Sequence, residues 1–156
     1  MSQISEPQAV SEPRLKGIGG WLVLMSIGQV LGPIQILRGM IEEYSSLPEG
    51  TAAAYPMAML GDAAIRLAFV GFLVYTAFLF FNKRTEFPGM FIKTYVASLL
   101  LPFVIGAWVT ITSGVNTMAN LATADFLWPY LATVAIGGIW VAYVLNSERV
   151  RNTFVQ

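Results

Sequence analysis

The 156 residues contain no cysteine and no histidine. Disulfides, thiol nucleophiles, iron–sulfur clusters, histidine-ligated haem and ordinary zinc sites are therefore excluded. Charge is scarce as well: 12% of residues are Asp, Glu, Lys or Arg, against about 25% in soluble domains. With formal net charge zero, no global field attracts nucleic acid, and nucleic acid is not an expected partner. A Gly-x-Ser-x-Gly elbow is missing, and without histidine no serine has its usual base. No cofactor is expected, and enzyme activity is not.

What is present is apolar. Hydrophobic residues make up 56% of the chain and mean hydropathy is +0.64. A soluble core of this length would carry more charge and shorter apolar runs, so the composition is that of a membrane protein. Four runs reach the roughly 20 residues a helix needs to cross hydrocarbon, over about 17–38, 57–81, 91–112 and 126–145. The expected fold is all-α, a polytopic antiparallel bundle of four transmembrane helices.

Residues 1–16 are poor in apolar side chains and read as a disordered tail. The first span is not a cleaved signal peptide, because no small-residue site follows an apolar core of about 7–15 residues. Gly28 and Gly32 stand one turn apart, a spacing that admits a close helix neighbour. Pro33 removes a backbone donor and frees the carbonyl of Gln29, which predicts a bend with a local polar spot. Pro102 does the same for Ser98 in the third span. Residues 113–124 are uncharged and rich in Gly, Asn and Thr, and read either as an exposed loop or as a segment on the membrane. Asp125 is placed to cap the fourth span, with Pro129 in its first turn. Trp128 and Tyr130 mark one membrane interface, Trp140 and Tyr143 the other.

Positive charge sets the expected orientation. Arg14, Lys16, Lys83, Arg84, Lys93, Arg149 and Arg151 share one side, with Arg38 alone near a loop opposite, so both termini should be cytoplasmic. Residues 146–156 then form a basic cytoplasmic tail, read as a surface-lying extension of the fourth span with Val150 and Phe154 on one face.

The second span carries an acid and a base inside the membrane. Asp62 and Arg66 are one turn apart with the acid first, the better order for an i,i+4 ion pair. Counted from the span's outer end they lie roughly 8 Å and roughly 14 Å deep. Intramembrane charges are functional candidates. Here a structural ion pair, a site for a lipid or polar headgroup, and a proton path all remain open, although a neighbouring arginine favours the charged acid and so disfavours a proton carrier. Leu60-Gly61-Asp62 is similar to part of the Gly-x-Gly-Asp motif of intramembrane aspartyl proteases, but Met59 stands at the first glycine position and no second intramembrane acid completes a dyad. Asp62, Arg66 and Gln29 form the candidate polar site. Lys16, Trp21, Arg149 and Arg151 are candidate contacts for headgroups or a partner.

The two ends carry a resemblance. Leu15-Lys16-Gly17-Ile18-Gly19-Gly20-Trp21-Leu22, with Tyr143 and Ser147-Glu148-Arg149-Val150-Arg151-Asn152-Thr153-Phe154, resembles the opening and close of the bacterial membrane family known as domain of unknown function 2569. The resemblance implies a four-helix protein of the bacterial inner membrane and supplies neither an activity nor functional residues. Two functions are compatible with the residues. The first, favoured by the small size, is an accessory or assembly subunit docked on a larger membrane complex. The second is a lipid or small-solute binding or transport protein, which at four helices would need to form a homo-oligomer to enclose a path.

Overall fold

A computed structural model describes residues 16–155; residues 1–15 of the expected N-terminal tail, Arg14 among them, lie outside the described residues. Its elements are α1 (Trp21–Ser45), α2 (Thr51–Ala54), α3 (Pro56–Phe81), α4 (Phe87–Ser113), a 3-10 turn (Thr117–Ala122), α5 (Ala124–Asn146) and α6 (Glu148–Thr153). The four long helices are each long and apolar enough to cross a membrane, and no strand occurs among the described residues. This is an all-α membrane protein.

The boundaries follow local chemistry. Pro56 and Pro88 occupy first turns of α3 and α4, where a missing backbone donor costs nothing. Pro88 therefore helps to open α4. At α5 the N-cap is Thr123, with Asp125 one position inside the first turn, which corrects the expected cap while keeping the acid at the positive end of the helix dipole. The largest departure is in α1, which does not stop at residue 38 but runs two further turns to Ser45. An exposed Arg38–Glu42 ion pair of 2.7 Å, at i,i+4, carries the helix past the end of the apolar run.

The long helices pack in sequence, α1 on α3, α3 on α4 and α4 on α5. Most large apolar side chains of α1 and α5, such as Ile27, Val30, Ile34, Ile136 and Ile139, face outward, as a lipid-facing surface requires. Thr76 and Thr94 share a buried 2.7 Å hydrogen bond across α3 and α4. Two glycines set close approaches: the Trp108 ring lies against Gly61, and the Tyr95 ring lies against Gly137. The Tyr95 hydroxyl is also tied to the carbonyl of Val134, donating to it at 2.7 Å. A Cβ at Gly137 would fall 2.0 Å from that ring, so Gly137→Ala should cost about 1–3 kcal/mol by overpacking. Gly28→Ala is the control, since nothing lies within 4 Å of its Cβ position. Thermal unfolding of the two variants in one detergent should show the first destabilised and the second unchanged.

The most buried cluster lies at the end of the bundle where the described termini meet. Leu22, Phe80, Phe87, Val150 and Phe154 pack together there. Phe154 stacks on Phe87 with ring centroids 4.5 Å apart and tilts against Phe80 at 5.5 Å. Residues 147–155 therefore do not continue α5 across the membrane surface. Ser147 is extended, which breaks the helix, and its side chain accepts from the Val150 amide. The chain turns back as α6 and buries Val150, Thr153 and Phe154 within the protein. The Thr153 hydroxyl accepts from the Gly17 amide at 2.9 Å, and the Arg149 guanidinium lies against Gly19, where a Cβ would come within 2.5 Å of Nη1.

Candidate functional site

The opposite end of the bundle holds the charged residues of α3. Arg66 Nε donates to Asp62 Oδ1 at 2.8 Å, so the pair anticipated from spacing forms. The structure adds two partners from the extension of α1. Arg66 Nη1 meets Glu43 Oε2 at 2.7 Å, and the Tyr44 hydroxyl donates to Asp62 Oδ2. Both Asp62 oxygens are thus engaged, and no buried side-chain polar atom among the described residues is left without a partner. That satisfaction makes a carboxylate only 6% exposed at its side chain tolerable.

The network sits toward the Pro56 end of α3. Asp62 and Arg66 are 19 and 15 residues from Phe81 at the far end of α3, or about 28 Å and about 22 Å of helix rise. Hydrocarbon is about 30 Å thick. A 26-residue helix rises about 39 Å, more than that thickness, and Asp62 lies about 9 Å of rise from its near end at Pro56.

Beside the network is a cavity of about 660 Å³. Glu43, Tyr44, Asp62 and Arg66 make it polar on one side; Leu101, Ile105, Val109, Leu121 and Phe126 wall it with apolar surface. Pro102 also lines it. The 3-10 turn closes part of the wall. Thr117 donates its hydroxyl to the Gly106 carbonyl at 2.9 Å and its amide to Thr110 Oγ1 at 3.2 Å, which pins the turn onto α4. Residues 114–123 are thereby held on α4 through Thr117, while most of their side chains stay exposed.

The remaining candidates lie elsewhere. Gln29 does not line the cavity; it is 15 residues from Tyr44, about 22 Å along α1. Lys16, Trp21, Arg149 and Arg151 belong to the end where the termini meet. Trp21 is exposed and packs edge-on against Trp140 at 6.1 Å. Arg151 is exposed near Glu148 at 3.9 Å. Glu43 and Tyr44 were missed because residues after Arg38 read as a loop. The Arg38 and Glu42 spacing was the signal that the helix continues.

A family model described as protein of unknown function, DUF2569, matches residues 15–155. The chain belongs to this family. No curated protein and no solved structure matches it. In this DUF2569 protein the two end segments that carry the resemblance, distant in sequence, are joined through Gly17 and Thr153 into one packed unit. The DUF2569 match also spans the whole cavity and its charged side.

Proposed function

We propose that this DUF2569 protein is a non-catalytic binding protein that takes up an amphiphilic molecule from the bilayer. The observation that carries this reading is the cavity: its volume lies within the roughly 300–1,000 Å³ typical of small-molecule sites, and its lining is charged on one side and apolar on the other. Small size alone favours an accessory subunit; an open cavity beside satisfied charges favours binding. The setting we propose is the bacterial inner membrane with both termini cytoplasmic. Supporting this, Lys16, Lys83, Arg84, Lys93, Arg149 and Arg151 belong to the end where Gly17 meets Thr153. The amphiphile would then enter from the outer leaflet.

A second reading, docking on a larger membrane complex, is supported by α1, where Gly28 and Gly32 have nothing within 4 Å of their Cβ positions. One experiment separates the two. In native mass spectrometry from nanodiscs, the protein should carry a retained amphiphile, and Ile105→Trp, which narrows the cavity, should weaken its retention without lowering thermal stability. A stoichiometric protein partner, with retention untouched by Ile105→Trp, would replace the binding reading with the accessory one.

A further inference from the structure

We propose that the cavity selects an amphiphile bearing an ammonium group, with Glu43 as the principal contact; this rests on the binding reading above. An arginine in a membrane cavity suggests a receptor for phosphate or carboxylate, but the geometry here points the other way. Arg66 is already engaged by two carboxylates, Asp62 at 2.8 Å and Glu43 at 2.7 Å. One cation against two acids leaves the polar side with formal charge −1. The neighbouring Arg38 does not alter this, since it is neutralised by Glu42 at 2.7 Å. Glu49 and Asp125 add further negative charge at the same end of the bundle. An incoming anion would meet two carboxylates before a guanidinium already occupied, whereas a cation meets a net attraction.

The two acids are not equivalent. Asp62 is buried and spends both oxygens on Arg66 and Tyr44. Glu43 is 53% exposed at its side chain and meets Arg66 through Oε2, a half-exposed carboxylate whose other oxygen, Oε1, can accept from an incoming donor. An ammonium carries donors for that oxygen, and the adjoining apolar wall of Leu101, Ile105 and Val109 receives the hydrocarbon attached to it. Primary ammonium groups of this kind belong both to aminophospholipid headgroups and to free long-chain amines.

The test uses the full chain in phosphatidylcholine nanodiscs, with dodecylamine, dodecanol and dodecanoate as probes and native mass spectrometry as readout. Wild type should bind dodecylamine at least about tenfold more tightly than the other two, the scale of one charge-assisted hydrogen bond. Glu43→Gln, which keeps shape and an exposed position, should abolish that preference while all three probes still bind. Ile105→Trp, which narrows the cavity, should weaken binding of all three probes and so reports on the cavity itself. Equal binding of the three probes by wild type, all weakened in Ile105→Trp, would overturn ammonium selection and leave the binding reading intact. A preference for dodecanoate would overturn it by making Arg66 an anion receptor. Binding unaffected by Ile105→Trp would overturn both. Given the expected preference, adding phosphatidylethanolamine to the nanodiscs assigns the source. Competition identifies the aminophospholipid headgroup and its absence a free amine, each in support of ammonium selection.

Discussion

Arg66→Met should lower thermal stability more than the double substitution Asp62→Leu with Arg66→Met. In the single variant Asp62, 4% exposed as a residue, keeps only the Tyr44 hydroxyl to balance its charge. Removing one member of a buried ion pair costs about 3–5 kcal/mol, whereas replacing both members with apolar groups is often neutral or better. The double variant should therefore recover most of the loss, less the hydrogen bond that Tyr44 gives up, about 1 kcal/mol. Glu43→Gln should move stability by no more than about 1 kcal/mol, because its contact with Arg66 is half exposed and screened. Unfolding midpoints of the three variants in one detergent provide the check. If the double variant is as unstable as Arg66→Met, the pair is not the structural element described here.

Phe154→Ala should undock α6. The side chain is buried between the rings of Phe80 and Phe87, and a buried Phe→Ala substitution costs about 3–5 kcal/mol. The loss cannot exceed the free energy that holds α6 in place, because beyond that point the segment simply detaches. The sharpest readout is therefore local. Arg149 and Arg151 are trypsin sites within a helix, and cleavage requires that helix to open. An effect of about 3 kcal/mol raises the open population roughly hundredfold. Limited trypsin digestion should show that acceleration while the four long helices remain folded. An unchanged cleavage rate would mean that Phe154 does not anchor the segment.

The site was half legible before folding was considered. Asp62 and Arg66 stand out because charge is rare in an apolar run and because four residues make one helical turn. Glu43 and Tyr44 did not stand out, since polarity after Arg38 resembles the end of a span, and only the contact of α1 with α3 gives them a role. Gln29 drew attention as the polar residue beside a proline, yet α1 places it about 22 Å from Tyr44. The 3-10 turn was unreadable for a related reason. A stretch without periodicity can be held by single hydrogen bonds to another element, as Thr117 is held by Gly106 and Thr110.

Composition and hydropathy alone determined the class of the protein, its four spans and the chemistries it lacks, because a bilayer demands about 20 apolar residues per crossing whatever the partners of each helix. The ion pair was likewise settled locally, within one turn. Tertiary structure decided what adjacency in sequence cannot encode. It joined the C-terminal residues to Gly17 across 136 positions, set Tyr44 against Asp62 across 18, and left a cavity where α1, α3, α4 and α5 do not fill the space between them. A void depends on the shapes of several elements at once, and no single segment carries its signature.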